Sequence, residues 1–402
     1  MRIIIIGCGV AGVNAAKAIK QRAPETEVTV YTDENHLYYP RPRLYEILSG
    51  EKDAQEIYPY TQEWYSQLGI NVQLGRKVLS IDAANKELTV EGGLKTSYDK
   101  LLLANGASAF VPPIQGVEKR GTFTLRTVED AVAIRKYAEK GKKAIVIGGG
   151  LLGLEFAECL RKLGQQVAVV EIRPRLLPMQ LDQDGSEILE DCLRKLGVNI
   201  VLGVKTTEIL GKEAVEGVSL DNGKEIPGEL ALISAGVKPN IQLAAEAGLK
   251  VNRGVIVDEY LRTNAEDVYA CGDVLEFQGQ VYGIIPPAVE QANIASANML
   301  GGEKNVYKGT IHTTSLKVSG VSLTSMGLVN PEGSQYEEIT KIDRQEGVYK
   351  KIVLDRGKIV GTILLGDRKG TSALMKLIER ETDVTKYKNN LLEDYFDYRQ
   401  MK

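Results

Sequence analysis

Two strand–turn–helix units that each turn on G-x-G-x-x-G, starting at Gly7 and Gly148, are followed by a closing stretch of different rhythm. Together they predict an α/β fold. That fold is two Rossmann-like dinucleotide-binding domains, the second inserted in the first, plus a small C-terminal α+β domain. The expected division is 1–111 and 243–310 for the two parts of the first domain, 112–242 for the inserted one and 311–402 for the last.

The first unit opens with Ile3 to Ile6, an unbroken β-branched run that reads as a strand buried on both faces of a parallel sheet. Gly7 permits the tight turn, Gly9 lets a pyrophosphate approach the backbone, and Gly12 lets the helix Val13 to Ile19 pack close to the sheet. Ala11, just before the last glycine, belongs to the same cradle. The helix N-terminus then turns N–H groups toward the phosphates. Val28 to Tyr31 is the second strand, and Asp33 and Glu34 follow about 20 residues past the glycines, where a carboxylate meets ribose hydroxyls.

Composition narrows the class. The 402 residues, 43% hydrophobic and 26% charged, suffice for two or three packed domains. A net charge of −3 with mixed signs argues against a nucleic-acid binder that relies on bulk positive charge. No apolar run reaches signal-peptide or transmembrane length, and Cys8, Cys159, Cys192 and Cys271 form no C-x-x-C. The expectation is a reduced cytoplasmic protein with isolated thiols and no metal site.

Beyond the acids, Pro40 and Pro42 should hold Tyr39 to Leu44 extended, placing Arg41 and Arg43 on a stiff loop where arginine can pair with phosphate. Val72 to Leu74, Val78 to Ile81 and Leu88 to Val90 read as short strands. Tyr98 to Leu103 reads as a buried strand ending in the small turn Ala104-Asn-Gly106, at the sheet edge where an open α/β fold admits ligand. Pro112 and Pro113 mark a boundary, after which the opening pattern repeats: strand Ala144 to Ile147, glycines 148, 150 and 153 with Leu152 between, a helix, then a strand ending at Glu171. Glu171 would bond a 2′-hydroxyl and repel a 2′-phosphate, favouring NADH, although Arg173 and Arg175 stand ready for NADPH. Glu155 is placed in the first turn of the second helix. Gly236 closes the inserted domain near the second nucleotide.

Val268 to Ala270 then runs into Gly272 and Asp273, a close-approach glycine and an acceptor for a polyhydroxyl chain; a small-residue helix from Pro287 to Leu300 follows. Cys271 has no partner cysteine in sequence and reads as a buried structural thiol. Val348 to Leu354 and Ile359 to Leu365 read as a hairpin, with helical patterning from Ser372. Lys350, Lys351, Arg368 and Lys369 read as a solvated face.

These residues together resemble the FAD-dependent pyridine nucleotide oxidoreductases, the two-dinucleotide-fold flavoproteins, over the whole chain. The resemblance rests on both glycine motifs, Tyr39-Pro-Arg-Pro-Arg-Leu44, Ala235-Gly-Val-Lys-Pro-Asn240 and Tyr269-Ala-Cys-Gly-Asp273. Arg41 to Leu44 and Leu316-Lys-Val-Ser-Gly320 look most like NADH:rubredoxin reductases and the flavin-binding part of assimilatory nitrite reductases. The resemblance implies FAD on the N-terminal cradle: Gly7, Gly9 and Gly12 at the pyrophosphate, Asp33 or Glu34 at the adenosine ribose, Arg41 at a phosphate. Val78 would meet the adenine through its backbone and Asp273 the ribityl chain. It implies NADH, or NADPH, on the repeated unit, with Glu155 near the meeting point of nicotinamide and flavin and Lys317 approaching the flavin from the C-terminal domain.

One departure narrows the chemistry. Residues 33–60 contain no cysteine, where disulfide- and peroxide-reducing members carry theirs. Hydride in and single electrons out is the logic that remains, with a small rubredoxin- or ferredoxin-like partner. Oxygen as acceptor, or a redox-sensing FAD/NADH-binding protein with low turnover, are the alternatives. Oligomeric state is left open.

Overall fold

The computed structural model describes the chain except residues 139–142, 303–304, 399–400 and 402 and the side chain of Lys317. It divides into two compact units. One comprises Met1–Leu44, Lys52–Ala109 and Val237–Thr310; the other comprises Tyr45–Glu51, Phe110–Gly236 and Ile311–Lys402.

The first unit is built on a five-stranded parallel sheet in the order Val268–Ala270, Lys100–Leu103, Arg2–Ile6, Glu27–Tyr31, Ile70–Gln73. The central strand explains the order: Ile3, Ile4 and Ile5 are at most 1% exposed, so this run is covered on both faces, as its lack of alternation requires. The helices Val10–Arg22 and Ile285–Leu300 pack on each other through small residues, close enough for the Ser296 hydroxyl to donate to the Ala15 carbonyl at 3.2 Å. An antiparallel sheet of Val78–Asp82, Glu87–Val90 and Leu94–Ser97 adjoins it.

The second unit repeats the plan. Its parallel sheet runs Asn199–Leu202, Gln166–Glu171, Lys143–Ile147, Leu230–Ile233, Thr122–Thr124. Leu151–Lys162 is the helix after the glycines. The C-terminal part is a five-stranded antiparallel sheet, Thr313–Val318, Val321–Gly327, Lys358–Leu365, Val348–Asp355, Tyr336–Asp343, with the helix Thr371–Glu379 packed through Leu374 and Leu377. Among the described residues no helix is long and apolar enough to cross a membrane.

One expectation fails here. Lys350 and Lys351 are not a solvated face: they are 5% and 2% exposed, because Val348–Asp355 lies inside the sheet and is covered on both sides. Each ammonium is buried with a carboxylate. Lys351 donates to Asp182 at 2.9 Å and pairs with Glu338 at 3.0 Å, and Lys350 reaches Asp367 at 2.5 Å. Lysine can be buried when its charge is matched and hydrogen-bonded. Arg368 and Lys369 are exposed, as read.

Candidate functional site: two nucleotide cradles

In the first cradle the three glycines do different work. Gly7 has φ +108°, its N–H donates to the Tyr31 carbonyl at 2.7 Å, and a Cβ there would overlap the Ala104 carbonyl. A Cβ on Gly12 would overlap the Gly7 carbonyl. These two glycines exist for chain packing. Gly9 is extended and a Cβ on it would meet nothing within 4 Å, so its bare face borders open space at the head of the helix Val10–Arg22. That helix starts with no side-chain cap and no acid in its first turn, leaving positive N–H groups for an anion. A cradle that a side chain would fill, faced by uncapped donors, fits a dinucleotide pyrophosphate.

The acids and arginine beside it do come together. Glu34 is half-buried and Asp33 exposed; Glu34 accepts from the Tyr39 hydroxyl at 2.5 Å and from the Arg41 guanidinium. Burial works against the Arg41 charge, but Tyr39, Glu34 and Asp273 together hold its pKa above the ordinary value. Arg41 and Asp273, far apart in sequence, therefore share one electrostatic neighbourhood. The segment is not fully extended as read: Arg41–Arg43 forms a 3-10 turn leading into the helix Leu44–Leu48. Pro42 sits at the start of this turn, where its missing N–H and fixed φ do no harm. Arg43 is turned to the carbonyls of Ile57 and Glu56, a structural role.

Around the cradle, Ala104 donates its N–H to Ile6, Gly106 has φ +63° and accepts from Asn240, and Val78 begins a strand at 6% exposure. Gly272, at φ +78°, opens the turn Gly272–Val274; a methyl there would lie 2.8 Å from the Ala11 Cβ. Its close approach is thus to the dinucleotide helix, and it carries Asp273 to that helix's N-terminal end.

The second cradle has the same construction in its own unit. Gly148 has φ +123° and could not carry a Cβ past the Ser234 carbonyl, Gly153 sits against the Gly148 carbonyl, and Gly150 faces open space. Glu171 is 8% exposed, its carboxylate accepting the Gly149 N–H at 2.6 Å and the Arg173 N–H at 2.7 Å. Gly149 is the residue missed from sequence, since the three-glycine pattern counts it as variable. Its bond fixes the acid at the mouth of the turn. Gly236 has φ +100° and no neighbour within 4 Å of a Cβ, and Leu152 is 39% exposed.

Glu155 is 8% exposed and falls in the second turn of Leu151–Lys162, not the first, because the helix begins one residue after Gly150. A carboxylate there gains little from the helix macrodipole, since that effect is confined to the terminal turn. Glu158, passed over in sequence, is 4% exposed and bonded to Arg161 at 2.8 Å. Lys317 lies in the strand Thr313–Val318, and its side chain is outside the described residues.

Three of the four thiols, Cys8, Cys159 and Cys271, are buried, and Cys192 is half-buried. Burial pushes Cys8 and Cys159 up to about 12, and raises Cys271 further and Cys192 more modestly. A thiol reagent at pH 8 is expected to leave Cys8, Cys159 and Cys271 unmodified in the folded protein and to modify all four after denaturation. Rapid labelling of any of the first three in the native state would contradict this. Among the described residues no cluster of His, Cys, Asp or Glu could hold a metal ion.

Comparison with known proteins places this geometry. The profile of the pyridine nucleotide-disulphide oxidoreductases matches residues 1–297, and that of the rubredoxin NAD+ reductase C-terminal domain matches 313–382. The chain is 37% identical over 385 residues to a nitrite reductase [NAD(P)H] of Bacillus subtilis, covering 96% of this chain but 48% of that protein. It spans about half the length of several such curated relatives. It is 32% identical over 378 residues to the NADH-rubredoxin oxidoreductase of Clostridium acetobutylicum, covering 94% of both. The crystal structure of NADH:rubredoxin oxidoreductase from that organism superposes with a TM-score of 0.79 at 31% identity, over 95% of this chain and 96% of the other.

Proposed function

The chain belongs to the pyridine nucleotide-disulphide oxidoreductase family, and from that premise we propose that it takes hydride from NADH and passes electrons singly to a small carrier of the rubredoxin or ferredoxin type. It is an NAD(P)H-dependent flavoprotein reductase with FAD as cofactor. The acceptor assignment is carried by one observation: both cradles are joined to a domain matching the rubredoxin NAD+ reductase C-terminal domain. The three buried thiols, Cys8, Cys159 and Cys271, support the same reading, since burial disfavours the thiolate that disulfide or persulfide chemistry needs.

Bound FAD supplies the conversion between a two-electron donor and a one-electron acceptor. The chain's part is to bind and orient. In this reading the turn shaped by Gly7 and Gly12 lets Gly9 and the first-turn N–H groups, that of Ala11 among them, hold the FAD pyrophosphate, and Arg41 neutralises a phosphate. Glu34, in preference to Asp33, takes the adenosine ribose, Val78 the adenine, and Asp273 the ribityl chain, with Ala104 and Gly106 forming the wall. The turn shaped by Gly148 and Gly153 lets Gly150 and Leu152 hold NADH, with Glu171 at its ribose and Gly236 lining the approach. The family resemblance alone makes Glu155 and Lys317 the candidates for residues beside the reacting rings. No side chain has to move a proton for hydride transfer.

Anaerobic stopped-flow with NADH should bleach the flavin, and reoxidation should be faster with rubredoxin or ferredoxin than with air. A flavin that NADH leaves oxidised, or reoxidation fastest with oxygen, would reject the proposal. Glu171→Ala should lower kcat/KM for NADH about 10- to 100-fold, the worth of hydrogen bonds to a charged acceptor, and raise that for NADPH. Unchanged discrimination would remove Glu171 from the cofactor choice.

A further inference from the structure

The turn that carries Asp273 is held from behind by a buried polar relay. The Gly272 N–H donates to the Gln291 side-chain oxygen at 2.9 Å, and the Gln291 amide donates to the Tyr307 hydroxyl at 3.1 Å. Tyr307 meets the Thr310 hydroxyl at 2.7 Å, and Thr310 donates to Glu290 at 2.7 Å. Gln291 and Tyr307 are each 1% exposed.

The Glu290 carboxylate gives this row of bonds a consistent direction. A carboxylate only accepts, so the Thr310 proton goes to Glu290 and its oxygen is left to accept from Tyr307. The Tyr307 oxygen can then accept the Gln291 amide, and Gln291 presents its carbonyl oxygen to Gly272. With the amide reversed, two donors would face each other at Gly272. The phenol stays protonated: burial raises its pKa far above the working range, with Tyr282 adding and Thr310 and Gln291 opposing.

We propose that Gln291 and Tyr307 are positioning residues that set the orientation of the Gly272–Asp273 turn and through it the affinity and reduction potential of the FAD. The helix Ile285–Leu300 explains why a glutamine is needed. Its buried stripe is otherwise small or apolar, with Ala288, Ala292 and Ala295. An amide in that stripe costs desolvation unless both ends are bonded, and both are. The turn itself cannot shift toward the cradle, since Gly272 already abuts Ala11.

The inference rests on FAD occupying this unit. Tyr307→Phe keeps the ring, which packs 5.0 Å from that of Phe277, and removes the hydroxyl alone; Gln291→Met keeps length and removes both hydrogen-bonding ends. For each variant and the wild type, the FAD dissociation constant is measured on apoprotein and the midpoint potential on holoprotein. The proposal expects about a tenfold weaker FAD affinity, which is ~1.4 kcal/mol, and a displaced midpoint potential in both variants. Variants that lose thermal stability but keep the wild-type dissociation constant and potential would overturn it, leaving the relay a fold element. A wild type that takes up no FAD would instead reject the cofactor assignment.

Discussion

Gly9→Val is expected to yield a folded protein that binds FAD more weakly. The residue is extended, a conformation any side chain adopts, and its Cβ meets no atom of the chain within 4 Å. The apoprotein should therefore unfold within about 0.5 kcal/mol of the wild type, as for a surface change. What the branched side chain fills is the space assigned to the pyrophosphate. Forcing methyl groups into a fitted contact costs about 1–3 kcal/mol, so FAD affinity should fall about 10- to 100-fold. Gly12→Val separates the two roles, because its Cβ collides with the Gly7 carbonyl and the fold itself should suffer. Gly150→Val is the matching change in the other unit: it should weaken NADH and leave FAD bound. Titrating each apoprotein with FAD and each holoprotein with NADH checks all three. Retention of flavin at wild-type affinity in Gly9→Val would move the pyrophosphate away from this turn.

Lys351→Ala is expected to cost about 3–5 kcal/mol of unfolding free energy, the usual result of stripping one partner from a buried ion pair. Asp182 accepts from Lys351 at 2.9 Å, from the Tyr349 hydroxyl at 2.5 Å, and from the Gly185 N–H at 3.1 Å as the N-cap of Gln183–Lys195. Burial acts to raise the Asp182 pKa, but the bonds from Tyr349, Lys351 and Gly185 outweigh it and hold the carboxyl below its ordinary 3.8. A depressed carboxylate stabilises the fold fully above its unfolded pKa. That contribution is lost as pH falls below 3.8 and through the lower folded value. The wild type should thus weaken in that acid window. In Lys351→Ala the depression is smaller, so the contribution should be smaller and confined to a higher pH range. Denaturation followed by circular dichroism between pH 2 and 7 measures both, and a variant as stable as the wild type at pH 7 would show the pair to be dispensable.

Much of the site was legible because it is local. A strand of isoleucines, a glycine turn and a helix lie within Arg2–Arg22, and hydrogen bonding within so short a stretch leaves few alternatives. The same holds for Gly148 and for the hairpin Val348–Leu365. Three features were illegible for one common reason. The 3-10 turn at Arg41–Arg43, the bond from Gly149 to Glu171 and the burial of Lys350 and Lys351 each depend on what another segment brings alongside. A lysine pair in sequence carries no sign of the Asp182 and Asp367 that meet it.

The sequence by itself determined that there are two dinucleotide cradles, that a third domain of antiparallel strands follows them, and that residues 33–60 hold no cysteine. Tertiary structure alone decided which glycines serve packing and which face open space, since that depends on carbonyls of Ala104 and Ser234 from distant strands. It also decided that Glu34 rather than Asp33 joins Arg41, and that Gly272 is tied through Gln291 to Tyr307. Glycine spacing is a property of the chain. Which face of a glycine is left bare is a property of its neighbours in space.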